Sequence, residues 1–171
     1  MVPLGESMLE YNRQLRAGEI RRAYRGLMHF MAGLRAYFEQ RYPGHYTGAI
    51  YPGYMDMTYF SFTPEDIKER KLKIAVVYLH EEGRFEAWLT GGNRRIQAAY
   101  IDALSTEELG RYRLSSVSPG VDSIIETILV EAPDFDDPDG MIRKIEKGVR
   151  QFTEDMANLL TAVGNNDLAK R

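Results

Sequence analysis

Two carboxylates stand inside otherwise apolar, strand-like segments. Asp56 lies in YMDMTYF (54–60) and Glu86 lies in RFEAW (84–88). An acid among apolar neighbours loses water, which raises its pKa, and two such acids close together can divide general acid and base roles or hold a metal. In the structural interpretation, Asp56 binds backbone amides at a strand end and Glu86 pairs with a basic side chain. Both interpretations are open, so Asp56 and Glu86 are candidates for a catalytic role.

The turn TGGNRR (90–95) is a second candidate site. Gly91 and Gly92 precede the expected start of a helix, and Arg94 and Arg95 follow it. Backbone amides at a helix N-terminus together with guanidinium groups can hold a phosphate or a carboxylate. The turn matches no Walker or dinucleotide motif, and a strand-to-helix connection with solvated arginines fits equally well.

Aromatic residues are densest between residues 42 and 62. Such a group can form a pocket wall, a protein interface or a core layer beneath a helix. The candidate ligand-binding residues in this segment are His45, Tyr51, Tyr54 and Tyr59. The three histidines of the chain show no paired metal-binding spacing, so no metal site is predicted, and the sequence leaves any cofactor unknown.

Composition limits the possible functions. The chain has 171 residues, of which 44% are hydrophobic and 27% charged, as expected for one globular domain spanning residues 1–171. It has no cysteine, which excludes disulfides, thiolate nucleophiles and cysteine-based zinc sites. A net charge of -3 disfavours general binding to nucleic acid. No signal peptide or long apolar run is evident, so we expect a soluble cytoplasmic protein without a membrane partner.

Periodicity predicts the elements of the first half of the chain. Helices are expected over 6–17 and 19–41, with Gly18 between them, and strands over 47–51 and 54–62. Thr63 is expected to cap a short helix. Strands 72–81 and 84–90 form a predicted hairpin with a two-residue turn at Glu82-Gly83, which places Val77 opposite Trp88.

The second half is predicted to hold a helix over 94–104, a short helix capped by Ser105, a strand over 121–130 and a long helix from Asp137-Pro138 to Gly164. The result is an α+β fold in the order ααβββαβα, with a mostly antiparallel sheet of four to five strands and two long amphipathic helices. Both faces of the hairpin are largely apolar, so helices are expected on both sides of the sheet. Residues 164–171 are expected to form a polar C-terminal tail.

This order of elements is topologically similar to restriction-endonuclease-like folds. Those nucleases carry an acid followed by an acid-x-lysine triplet on the next strand. The corresponding place here is Glu86-Ala87-Trp88, with tryptophan where lysine belongs. An intact nuclease site is therefore not expected, and a degenerate nuclease-like domain is one alternative.

Four segments resemble a family of uncharacterised bacterial proteins that is classed as a domain of unknown function: GYMDMTYF (53–60), KLKIA (71–75), RFEAWL (84–89) and DFDD (134–137). The resemblance extends over most of the chain. It implies a stand-alone bacterial cytoplasmic domain, and it implies no reaction, because the family has no assigned activity or catalytic residues to carry over.

The sequence favours a domain that binds a small molecule or a protein partner, with the aromatic segment and the strands of Asp56 and Glu86 near the site. The alternative is a hydrolase-type enzyme, with or without assistance from a metal, in which those two acids act on a substrate whose anionic group is held by the 91–95 turn. A third hypothesis is a homodimer built on the apolar stripe from Ile142 to Val163.

Overall fold

The computed structural model describes residues 1–164; the segment 165–171, and with it most of the expected polar tail, lies outside the described residues. The described chain is a six-stranded sheet with five helices. In chain order these elements are α1 (Leu4–Ala17), α2 (Glu19–Arg41), β1 (Tyr46–Thr47), β2 (Met57–Thr63), α3 (Glu65–Glu69), β3 (Leu72–Leu79), β4 (Arg84–Gly91), α4 (Arg94–Leu104), β5 (Arg113–Leu114), β6 (Ser123–Val130) and α5 (Pro138–Ala162).

The sheet is antiparallel throughout, with the strands in the order β1-β2-β3-β4-β6-β5. The α+β prediction is confirmed, and the sheet is slightly larger than expected because the two-residue edge strand β5 was not predicted; β1 overlaps the start of the expected 47–51 strand. The expected topological similarity to restriction-endonuclease-like folds is not tested by this strand order and stays a prediction.

The β3–β4 hairpin was predicted in the wrong register. The expected two-residue turn would place Val77 opposite Trp88, whereas Val77 faces Glu86 and Trp88 faces Ala75. A four-residue loop, 80–83, connects the strands, and Gly83 adopts the positive φ of 64° that the end of this loop requires. Because the register shifts by two residues, every side chain keeps its predicted face of the sheet.

The helices α2 to α5 cover one face of the sheet. On this face Phe60, Phe62, Val76 and Phe85 pack against α2 and the first half of α5. A second cluster joins Ile74, Leu89 and Ile125 to α3, α4 and the second half of α5. The expectation of helices on both faces is therefore wrong for the described residues: the opposite face carries Tyr59, Lys73, Trp88 and Thr90, and it forms one wall of a cleft.

The apolar stripe of α5 lies in the core of its own domain. Ile145, Val149, Phe152 and Met156 are fully buried against the sheet and α2. A dimer that uses this stripe would have to expose the core, so the homodimer hypothesis cannot rest on α5.

Two predicted helix caps have other roles. The hydroxyl of Thr63, the last residue of β2, accepts a hydrogen bond from the Ile74 amide, and α3 begins after Pro64 without a side-chain cap. Ser105 ends α4, where its hydroxyl donates to the Asp102 carbonyl, and residues 105–110 form turns rather than a helix. Ser and Thr satisfy backbone groups at many positions in addition to helix starts, so the motifs alone were not decisive.

Within residues 1–164, no helix combines the length and apolarity needed to cross a bilayer.

A half-buried carboxylate joins the two long helices. Glu146 on α5 accepts hydrogen bonds from the hydroxyls of Tyr37 (2.8 Å) and Tyr42 (2.5 Å), and Arg41 lies 3.5 Å away. Burial raises the pKa of Glu146, but the hydrogen bonds from Tyr42 and Tyr37 and the charge of Arg41 outweigh it and leave this pKa below its usual value. Desolvation and the same hydrogen bond raise the pKa of Tyr42 to about 12. The hydrogen bond between Tyr42 and Glu146 therefore stabilises the fold at pH values between the pKa of Glu146 and the pKa of Tyr42.

We expect Glu146→Gln to lower the free energy of unfolding at pH 7 by about 1–2 kcal/mol, because an amide accepts these hydrogen bonds less strongly than a carboxylate does. The folded-state pKa is depressed, so this contribution is present above the unfolded value near 4.5 and is lost as the pH falls through the folded value. Urea unfolding at pH 7 and at pH 3 should show the difference from wild type shrinking in acid. Glu154→Gln, an exposed change on the same helix, is the control. A Glu146→Gln deficit that is unchanged at pH 3 contradicts the assignment.

Candidate ligand-binding site on the open face of the sheet

A cleft of about 400 Å³ lies on the sheet face that α2 to α5 leave open. Three strands form its floor, and the start of α4 with the loop before β6 forms one side. The lining residues are Met57, Tyr59, Ser61, Lys73, Ala75, Val77, Trp88, Thr90, Gly91, Gly92, Asn93, Arg94, Gln97 and Asp122. The cleft therefore combines an apolar and aromatic floor with a polar rim, which is the usual composition of a small-molecule site.

Glu86 holds the indole of Trp88 beside the cleft. The Glu86 carboxylate accepts a hydrogen bond of 2.6 Å from Trp88 Nε1 and one of 2.8 Å from Arg84 Nε. Glu86 is only 2% exposed, whereas the Arg84 side chain is 23% exposed. Arg84 neutralises the buried acid and both of its oxygens are occupied, so Glu86 positions Trp88 and balances Arg84.

The glycine turn brings the sheet into contact with the start of α4. A Cβ on Gly91 would lie 2.7 Å from the Gln97 amide nitrogen, so only glycine permits this approach. The Gly92 amide donates to the Lys71 carbonyl at 2.9 Å, which leaves it unavailable to a ligand. The Asn93 side chain caps α4 by accepting from the Ile96 amide at 2.9 Å. The backbone N–H groups in the first turn of α4 that precede Ile96 have no hydrogen-bond acceptor within the helix.

The charges at the rim add up to one net positive charge, from Lys73 and Arg94 against Asp122. Arg94 pairs with Asp122 at 3.1 Å and also donates to the Val121 carbonyl and to Gln97. Buried Gln97 in turn donates to the Val121 and Ser123 carbonyls at 2.8 and 3.0 Å. Exposed Lys73 forms no ion pair with any residue of the described chain. Lys73 is therefore the charge in the cleft that a ligand can neutralise.

Comparison with known protein families assigns the chain. A family model described as domain of unknown function DUF7000 matches residues 4–160. The chain belongs to the DUF7000 family. The match spans every residue that lines the cleft, and no curated protein and no solved structure matches the chain. The family resemblance inferred from the sequence is thus confirmed, and the chemistry of this DUF7000 protein has to be argued from its own residues.

The aromatic segment of the DUF7000 chain divides between the two faces of the sheet. His45 stacks on Phe62 at 4.9 Å on the helical side, where Phe38 and Tyr42 complete a ring cluster. Desolvation lowers the pKa of His45. Its neighbours make His45 part of a core layer, away from the cleft.

The tyrosines of the same segment lie on the outer side. Tyr59 lines the cleft, Tyr51 stacks beside it with ring centroids 5.1 Å apart, and Tyr54 is next in line at 6.5 Å from Tyr51. Tyr54 is 87% exposed. The pocket-wall and core-layer interpretations of this segment thus apply to different residues, because alternate positions of β2 face opposite sides.

Asp56 stands in the exposed turn before β2, and β3 separates this position from β4, the strand of Glu86. Its Oδ1 accepts hydrogen bonds from the amides of Tyr54 (2.8 Å) and Met57 (2.7 Å), and these bonds lower its pKa. The expectation of a raised Asp56 pKa is therefore wrong, because these hydrogen bonds outweigh desolvation, and Asp56 binds backbone amides as in the structural interpretation. Neither acid lines the cleft, and residues 1–164 contain no group of three His, Asp or Glu side chains placed to hold a metal. The hydrolase hypothesis stays a prediction without a paired-acid site to support it.

Four of the eight predicted ligand-binding residues line the cleft: Tyr59, Gly91, Gly92 and Arg94. Arg95 is exposed and outside it. Sequence reasoning missed Lys73, Trp88, Gln97 and Asp122. The available signal was a run of polar and aromatic residues at alternate strand positions (Tyr59 and Ser61, Lys73, Trp88 and Thr90), which identifies one face shared by three strands once their pairing is known.

Proposed function

We propose that this DUF7000 protein binds a small anionic molecule in the cleft on the open face of its sheet. The observation that carries the proposal is the exposed Lys73 ammonium, which stands in an aromatic-floored cavity without an ion-pair partner in the described chain. A volume of about 400 Å³ suits a metabolite-sized ligand better than a polymer. The bacterial cytoplasmic setting inferred from the sequence belongs to the same proposal, and it is supported by the absence of cysteine.

The cleft favours a ligand with two unlike ends. Tyr59 and Trp88 offer ring surfaces to a flat or apolar part, and the hydrogen bond to Glu86 keeps the indole in one orientation. Lys73 and the first turn of α4 offer positive charge and amide donors to a phosphate or a carboxylate. Arg94 is held in place by Asp122, Val121 and Gln97. It therefore shapes the rim of the cleft, and Asp122 already balances its charge.

A thermal-shift panel of phosphorylated and carboxylated metabolites tests this function. A ligand at about one hundred times its dissociation constant stabilises a protein by roughly 2.7 kcal/mol. We expect at least one anion with an aromatic or apolar part to raise the melting temperature and to bind in calorimetry. In Lys73→Gln the affinity for that ligand should fall about 10- to 100-fold, since a hydrogen bond to a charged group is worth roughly 1.5–3 kcal/mol.

Arg95→Gln is the matched control, because Arg95 is exposed next to the site without lining it. This variant should bind as wild type. Equal affinity in Lys73→Gln and wild type would contradict the site. A panel in which no anion shifts the melting temperature would favour the other class of partner expected from the sequence, a protein.

A further inference from the structure

The first 26 residues include a helical part that projects from the domain. We define the arm as α1 together with the first two turns of α2, residues 4–26. Every residue of the arm is exposed except Gln14, Leu15 and Gly18, which are half-buried, and Leu4 and Leu9 are 77% and 67% exposed. An isolated helix of this length is marginal in water, and most helices gain stability by packing an apolar face. No part of residues 1–164 therefore covers the arm.

Four apolar residues of α1 form one stripe. Leu4, Met8, Tyr11 and Leu15 follow one another at spacings of four, three and four residues, which places them on one side of the helix. Arg16 lies roughly a quarter-turn from the stripe, whereas Leu9 and Glu10 lie farther round, on the opposite side of the helix. The stripe is about 16 Å long at 1.5 Å per residue.

An apolar groove of about 670 Å³ runs along α2 where the arm joins the domain. On one side it is lined by α2 from Ile20 to Phe30, a length of about 15 Å. Tyr78, His80 and Phe135 form the other side, and Phe135 packs on Phe30 at 5.7 Å. The groove and the α1 stripe are therefore equal in length and alike in apolar character.

The α1 helix cannot fold back into the groove of its own chain. Only Gly18, with φ of 95°, separates the last residue of α1 from the first of α2. Reversal of the chain between two antiparallel helices takes a connection of about 2–8 residues. A second copy of the chain has no such restriction.

Charge defines an orientation for a docked α1. The segment around Phe135 carries Asp134, Asp136 and Asp139, all exposed and without an ion pair among the described residues. These acids lie at the Phe30 end of the groove, because Phe135 contacts Phe30. The basic residue Arg16 at the end of α1 meets them only when α1 runs in the same direction as α2.

We propose that α1 of a second copy occupies this groove, parallel to α2, and that the exchange is reciprocal about a twofold axis. The twofold rotation that places α1 of the first chain against α2 of the second also places α1 of the second chain against α2 of the first. The same contact is therefore made twice, and the dimer is closed. Met8 then packs between Ala23 and Leu27 of the other chain. This surface is independent of the cleft and of the buried apolar stripe of α5, although the first residues of α5 lie at its edge.

Sedimentation across micromolar concentrations tests the proposal. Wild type is expected to approach twice the chain mass, and Met8→Glu is expected to remain monomeric with an unchanged melting curve at low concentration, because Met8 is exposed within its own chain. Leu9→Glu places the same charge on the same helix away from the stripe, so it should dimerise as wild type. A monomeric wild type, or a dimer indifferent to Met8→Glu, overturns the proposal.

Engineered disulfides test the groove itself. The chain has no cysteine, so oxidised Met8→Cys/Ala23→Cys is expected to give a covalent dimer, and Leu9→Cys/Ala23→Cys is not. If Met8→Glu is monomeric but the Met8→Cys/Ala23→Cys pair does not cross-link, the stripe binds another surface and docking in the groove is refuted.

Discussion

Phe38→Ala is expected to lower the free energy of unfolding by about 3–5 kcal/mol. The Phe38 ring is fully buried in the last turn of α2, and it contacts the rings of Phe62, Tyr42 and Phe60 at centroid distances of 4.7, 5.9 and 6.1 Å. Truncation removes apolar contact area and leaves a cavity between α2 and β2 that neither element can fill by moving. A loss of this size is a large part of the roughly 5–15 kcal/mol that stabilises an ordinary domain.

Urea unfolding measures this loss, and the melting temperature should fall by about 6–20 °C in a chain of this length. Tyr54→Ala removes an aromatic ring that is almost fully exposed, so its effect should stay within about 0.5 kcal/mol. A Phe38→Ala cost below 1 kcal/mol would mean that α2 does not pack on the ring cluster.

Glu86→Leu is the second substitution with a large expected effect, a loss of about 2–4 kcal/mol. It leaves the Trp88 indole N–H and the Arg84 guanidinium without their shared acceptor. Removal of one member of a fully buried ion pair costs about 3–5 kcal/mol, and the value here is lower because Arg84 still reaches water and lies 3.5 Å from Glu131. Equilibrium unfolding checks the loss, and indole fluorescence should report a changed Trp88 environment because Trp88 is the sole tryptophan.

The double variant Arg84→Leu/Glu86→Leu separates charge from packing. Once the unpaired guanidinium is removed, the variant should regain at least half of the stability lost in Glu86→Leu. The same pair of variants distinguishes the structural and catalytic interpretations of Glu86. A Glu86→Leu protein as stable as wild type would contradict the structural role.

Much of the fold could be predicted because its signals are local. The stripe of α2 and the Asp137-Pro138 start of α5 predict two helices in nearly their observed bounds, since 3.6-residue periodicity and capping depend on neighbouring residues alone. The hairpin register was wrong because Gly83 suits the end of a four-residue loop as well as a two-residue turn. Helices on both faces were expected because apolar Ala75 and Val77 resemble core residues, although on the open face they line a cleft.

Only the part of the candidate site that lies within one continuous segment of the chain was predicted from the sequence. The 91–94 turn was found from its glycines and arginine, although Gly91 is needed for close approach to Gln97 rather than for flexibility. Lys73, Trp88 and Asp122 come from three separate elements, and the strand pairing that brings them together is set by tertiary packing. Glu86 is different, because its partners Arg84 and Trp88 lie two residues away on its own strand, where strand alternation places all three side chains on one face.

The last helix is shared by both halves of the core, and this imposes an order on biosynthesis. The sheet is complete by Val130, but its covered face lacks Ile145, Phe152 and Leu160 until α5 has left the ribosome. During that interval Phe60, Val76 and Leu89 are only partly shielded, and an unfinished chain of this kind is prone to aggregation. A nascent chain halted between β6 and α5 would thus expose apolar strand residues that the finished domain covers.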